Sequence, residues 1–150
     1  MKSLKFCTLL IGMFLAAGTN THATNLENSD KSSATAKKTR SETFVYSDKQ
    51  SWEPAGKGVT RQVMGYDGQV MMVKVKFEKG AVGTLHTHYH TQTTYVASGK
   101  FELTVGGETK TVEAGDGIYM EPDVPHSCTC LEAGMLIDCF SPMRADYLTK

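Results

Sequence analysis

The chain has 150 residues, with 16 basic and 16 acidic side chains and a formal net charge of zero. That balance, with no basic patch, gives no surface suited to the nucleic-acid backbone. Residues 43–150, set off from the terminal segments described next, are one small domain's worth of chain.

Residues 1–23 have the form of a secretory signal. Lys2 and Lys5 precede an apolar core over residues 6–17, and small residues lead to Ala23, where cleavage is expected. The apolar run is too short to span a bilayer. Cys7 lies inside it rather than at its end, so no lipid anchor is expected. The product is expected to be exported, periplasmic or secreted, and free of the membrane after cleavage. Residues 24–42 carry one large apolar residue, Leu26. They bury too little surface to offset ordering entropy and read as a disordered linker. Residues 43–150 remain as the folded domain.

Residues 59–66 and 69–78 alternate apolar and polar around Asp67-Gly68, a hairpin signal. Next comes GAVGTLHTHYHTQTTYVASG, residues 80–99. Successive side chains on a strand face opposite ways, so His86 and His88 are expected on one face. Two imidazoles on one face, with Gln92 nearby and His126 arriving later, are the usual start of a divalent-metal site. His90 falls on the turn between two strands and reads as a mouth residue rather than a ligand. A second hairpin, 100–105 with 108–113, turns at Gly106-Gly107, and Gly115-Asp116 breaks the chain before residues 118–120. Residues 126–131 and 135–140 then flank a turn expected at 132–134. Many short strands with no helical period indicate an all-β sandwich or barrel.

Cys128, Cys130 and Cys139 outlast signal cleavage, an odd set that leaves at least one thiol unpaired within the monomer. Cys128 and Cys130 share the parity of His126 and are expected inside as small apolar fillers. Cys128 as a further metal ligand is a lesser alternative. In the last strand Leu136, Asp138 and Phe140 share one face, and Met135, Ile137 and Cys139 the other. A carboxylate facing the interior must be paired or chemically used. Arg144 follows Pro142 and can fold back over the mouth, where its planar fork suits a carboxylate. A purely structural salt bridge between Arg144 and Asp138 is the alternative.

The spacing G-x5-H-x-H-x3-Q-x6-G, carried by Gly80, His86, His88, Gln92 and Gly99, resembles the first motif of the cupin superfamily, with Gln where Glu is usual. Residues 115–126, GDGIYMEPDVPH, resemble the second motif. Pro122, Pro125 and His126 are in place, while Glu121 and Asp123 stand where the motif carries Pro and Gly. The resemblance covers residues 43–150. It implies a single small cupin β-barrel, a double-stranded β-helix or jelly roll, with the metal in its mouth. The run D-x-F-S-P-x-R-x-D-Y over 138–147, together with residues 52–82, is similar to the pectin-degradation cupins of the KdgF type. In that family three His and a Gln hold the metal, and they fall here on His86, His88, Gln92 and His126. The family's Asp, Phe and Arg fall on Asp138, Phe140 and Arg144. The implied reaction turns a 4,5-unsaturated uronate, released by pectin or alginate lyases, into its linear 5-keto-4-deoxy form. Family members acting on monomers are usually cytoplasmic, and the export signal here leaves the exact substrate open, with a periplasmic oligosaccharide end as an alternative.

Charge favours the same chemistry. Three neutral imidazoles and a neutral amide leave the charge of a divalent ion uncompensated. An iron that cycles to the ferric state gains from an anionic ligand, and Gln92 removes that help. The set instead suits a Lewis acid acting on an anionic, small-molecule substrate. Imidazole and amide accept Ni, Zn, Fe or Mn alike. The expected roles are general acid/base for Asp138, carboxylate binding for Arg144 and packing against the sugar for Phe140, in a hydration and ring opening of lyase or isomerase type. Arg61 and Tyr66 are candidates for substrate contact or plain surface residues. A non-catalytic metal-dependent sugar or metabolite binder and a cupin dioxygenase are the alternatives. A homodimer through an edge strand is the assembly that the resemblance allows.

Overall fold

The computed structural model describes residues 39–149. The expected signal segment and most of the expected linker lie outside them. Of the linker's last residues, Ser41 is tied to the sheet: its N–H donates to the Tyr66 carbonyl at 2.8 Å and its hydroxyl accepts from the Tyr66 N–H at 3.1 Å. Among the described residues no helix is long and apolar enough to cross a membrane.

The strands are β1 (Glu53–Gly56), β2 (Val59–Tyr66), β3 (Met71–Phe77), β4 (Val82–His86), β5 (Thr91–Val105), β6 (Glu108–Glu113), β7 (Gly117–Met120) and β8 (His126–Ser141). Every pairing is antiparallel. Both expected hairpins form, the second by the expected two-residue glycine turn and the first by a longer turn over residues 67–70. Asp67 Oδ1 accepts the backbone N–H groups of Gln69 and Val70 at 2.7 and 3.0 Å, closing the β2–β3 turn. Gly106 and Gly107 take φ of +57° and +88°, the left-handed pair that a tight two-residue turn needs. β1 was not legible from alternation, because it is short and contains Pro54. At the sheet edge beside β2 the missing N–H is tolerated.

One expectation fails. Residues 132–134 are not a hairpin turn, because β8 runs unbroken through them. Gly134 instead marks a crossing with β5. A Cβ on Gly99 would lie 2.7 Å from Gly134 Cα and 2.6 Å from the Glu132 carbonyl oxygen, so the two backbones need glycine to pass. The pairing register slips on both sides of Ser98 and again at Lys100, which bends the strands there.

That bend makes the barrel. The first half of β8 pairs with β4 and with the second half of β5, while its second half pairs with β3 and the first half of β5. Two arms result, β1-β2-β3-β8-β5-β7 and β4-β8-β5-β6, sharing the two long strands. They close on one another over Val59, Phe77, Val96, Phe101, Leu103, Met120, Cys130 and Leu136. Phe77 meets Phe101 edge-on at 5.4 Å, and burying a ring such as Phe101 contributes about 1.5–3 kcal/mol. A second cluster of Met71, Val73 and Phe140 gathers Tyr147 and Leu148. It seats the short 3-10 turn Ala145–Leu148 at the rim.

Candidate metal centre and its cavity

Both motifs meet where β4 ends and β8 begins. His86 and His126 are direct cross-strand partners. His88 lies just beyond β4 rather than on it, and Gln92 is the second residue of β5. The loop that carries His88 is held by the second motif, since the Asp123 N–H donates to the His88 carbonyl at 2.9 Å. Asp123 adopts φ +61°, a left-handed conformation that Asp accepts more readily than most residues. That explains how it can stand where the motif usually has Gly.

The three imidazoles offer donor atoms within 4.8 Å of one another. Backbone carbonyls assign their tautomers. His86 Nδ1 donates to Thr84 at 2.8 Å, His126 Nδ1 to Val124 at 2.8 Å and His88 Nδ1 to His90 at 3.2 Å. Each Nε2 is thereby left with a lone pair, as in a metal-ligating histidine. His126 is buried and its Nε2 has no partner. Burial also holds the pKa values of His126 and His88 below the ordinary imidazole value, which keeps the rings neutral.

Gln92 completes the set through a chain of buried hydrogen bonds. Thr94 and Asp138 are direct partners across β5 and β8. The Thr94 hydroxyl donates to Asp138 Oδ1 at 2.6 Å, so its oxygen accepts from Gln92 Nε2 at 3.0 Å. With its NH2 group engaged there, Gln92 must turn Oε1 toward His88 Nε2, 3.0 Å away. Two lone-pair atoms then face each other beside an orphaned imidazole nitrogen. A divalent cation held by His86, His88, His126 and Gln92 fits that arrangement.

Asp138 and Phe140 line the cavity on the interior face of β8, as the parity predicts. Burial pushes the Asp138 carboxyl up to about 6, against the pull of the Thr94 hydroxyl, the Gln92 amide and the positive charge of Arg144. Arg144 does fold over the mouth, but its structural partner is Asp146, not Asp138. Nε and Nη2 bind the Asp146 carboxylate at 3.0 and 2.8 Å, leaving Nη1 without a partner. The cavity has a volume of about 330 Å³.

Other candidates fall elsewhere. Arg61 lines the same cavity, whereas Tyr66 lines a separate groove beside residues 41–53. His90 lies at the mouth without being a ligand, edge-on to His88 at 5.3 Å and to Phe140 at 6.3 Å. It is buried, stacked on Tyr89 at 3.9 Å, and outside the triad of donor atoms. Cys128 and Cys130 face the core, and burial pushes the Cys128 thiol up to about 11, so it is a poor ligand or nucleophile. Thr94 was missed. Its parity with Gln92 was readable, but its pairing with Asp138 depends on register across strands.

A two-armed β-barrel whose two motifs deliver converging imidazoles to its mouth is the cupin arrangement, and residues 73–137 match the cupin domain family Cupin_2. The chain is 41% identical over 107 residues to the pectin degradation protein KdgF of Dickeya dadantii (strain 3937), covering 70% of this chain and 97% of that one. The solved KdgF from Halomonas sp. superimposes with a TM-score of 0.68 at 33% identity, over 71% of this chain and 99% of the other. An RmlC-like cupin from Shewanella frigidimarina NCIMB 400 does so at 0.71 with 40% identity, over 73% and 99%. The chain belongs to the KdgF family of cupins.

Proposed function

We propose that this protein is a metal-dependent enzyme that converts 4,5-unsaturated uronates into linear 5-keto-4-deoxyuronates. The observation that carries the reading is the convergence of three neutral imidazoles and the Gln92 amide beside a cavity lined by a buried carboxyl and by a guanidinium whose Nη1 lacks a partner. A divalent ion bound by His86, His88, Gln92 and His126 supplies Lewis-acid polarisation and an attraction for carboxylates. The Nη1 edge of Arg144 holds the substrate carboxylate while Asp146 fixes the other edge. Asp138, with its raised pKa, delivers a proton to C4 and recovers one from the water that adds at C5. Phe140 packs against the sugar and limits further water. The resulting hemiketal opens by breaking the bond between C5 and the ring oxygen, which leaves the 5-ketone. On a free monomer the C1 hydrate then loses water to the aldehyde, so the net change is an isomerisation. The signal-like residues 1–23 support export, which cell fractionation tests.

The experiment is incubation of metal-loaded protein with unsaturated galacturonate, following the loss of the ultraviolet absorbance of the conjugated double bond. Wild type consumes the substrate, and Asp138→Asn does so about 10²–10⁴-fold more slowly at equal metal content. Uronate binding without consumption by the metal-replete wild type would falsify the enzymatic reading in favour of a binding protein.

A further inference from the structure

Two arginines, not one, reach the cavity. Arg61 projects from β2 and Arg144 from the segment after β8. Both lie over the same ring: the Arg61 Cζ is 3.8 Å and the Arg144 Cζ 4.4 Å from the centroid of Tyr147. Tyr147 therefore positions both cations, and both line the cavity. Arg144 is half satisfied by Asp146. Arg61 has less: the Glu53 carboxylate makes a long ion pair with it at 3.9 Å, and its buried Nε has no hydrogen-bond partner. Buried guanidinium donors left without acceptors are uncommon unless something else supplies the acceptor.

One substrate carboxylate satisfies Arg144 and leaves Arg61 as it was. In a chain of uronates every sugar carries a carboxylate, so a second one arrives with the sugar next to the unsaturated ring. We propose that Arg61, positioned by Tyr147, forms a second anion subsite for that neighbouring carboxylate, so the substrates are unsaturated diuronates and oligouronate ends rather than free monomers alone. The inference rests on the uronate reading above and deepens it. On such a substrate the steps balance with one water consumed. The proton goes to C4, the water oxygen to C5, and the bond between C5 and the ring oxygen breaks to give the ketone. The C1 hemiacetal so freed expels the neighbouring sugar as an alcohol and becomes the aldehyde. No oxidant or reductant is required.

The test uses the metal-loaded protein, with saturated galacturonate and digalacturonate as calorimetric probes and the unsaturated monomer and dimer as substrates. Wild type should bind digalacturonate about tenfold or more tightly than galacturonate, the scale of one charge-assisted hydrogen-bonded contact. Arg61→Met should collapse that ratio toward one, and Arg61→Lys should retain part of it. The same ratio should appear in kcat/KM for the dimer over the monomer. Equal binding of both probes by wild type overturns the subsite. So does an equal loss on both in Arg61→Met, which would make Arg61 only a prop for Tyr147 and Arg144. Consumption of neither unsaturated substrate, with the binding preference intact, removes the proposed reaction and leaves the subsite standing.

Discussion

Two buried glutamines divide the molecule into a part that holds itself together and a part arranged to hold something else. Gln62, on β2, is fully enclosed and saturated. Its Nε2 donates to the Ser47 and Gln50 carbonyls at 2.8 and 2.9 Å, and its Oε1 accepts from the Ser47 hydroxyl at 3.0 Å. It pins the N-terminal segment to the sheet. Gln92 is almost as buried, but only its NH2 end is anchored, through Thr94 to Asp138, while its oxygen faces the lone pair of His88. The same side chain is structural where every polar atom finds a partner in the chain. It belongs to a site where the partners are arranged to leave lone pairs converging.

The largest effect is expected at the imidazoles. His126→Ala removes a buried donor and should lower metal affinity by more than the 10–100-fold typical of losing an outer-shell partner. Competition with a chelating dye measures it, and the thermal upshift on adding metal should shrink with it. A wild type that binds no divalent ion would end the distinction between the two glutamines.

Asp138 gives the next largest effect, on the metal-free protein. Its pKa is raised from 3.8 to about 6 in the folded state, so the folded chain binds more protons than the unfolded chain between those values. Its stabilising share is therefore complete below about pH 4 and is lost as pH rises through 6. At 1.36 kcal/mol per pKa unit this amounts to up to about 3 kcal/mol. His88 and His126, whose pKa values burial lowers, act in the opposite direction over a neighbouring range. The quantity to read is thus the difference between wild type and Asp138→Asn in denaturant titrations. Asp138→Asn should gain stability relative to wild type as pH goes from 4 to 7, and no change in that difference would place the carboxyl in a better-solvated setting.

The glutamines themselves sharpen the contrast. Gln62→Leu strands two carbonyls and a hydroxyl and should cost about 2 kcal/mol of unfolding free energy while leaving metal affinity alone. Gln92→Leu should show the reverse, with weaker metal binding and a small change in metal-free stability. Equal behaviour of the two variants would erase the division. The smallest effect belongs to Thr94→Val, which keeps the volume but frees the Gln92 amide to rotate. Metal affinity should fall about tenfold, the lower end for an orienting partner, and Thr94→Ser should restore most of it.

Local rules sufficed for the barrel class, for the hairpins at Asp67-Gly68 and Gly106-Gly107, and for expecting His86, His88, Gln92 and His126 near one another. Turn chemistry, two-residue parity and motif spacing are local, and they act over a few residues wherever the chain goes. The parity that put Asp138 and Phe140 on the interior face held for the same reason. Tertiary structure decided what local rules leave open. Whether Gly134 turns the chain or bends it depended on β5 lying alongside, with Gly99 at the crossing. Whether Arg144 paired with Asp138 or Asp146 depended on how the last turn seats on Phe140 and Tyr147. Register between β5 and β8 brought Thr94 opposite Asp138, and the curl of β2 brought Arg61 over Tyr147. Each of these is a contact between residues far apart in the chain, fixed only when the two arms close on a shared core.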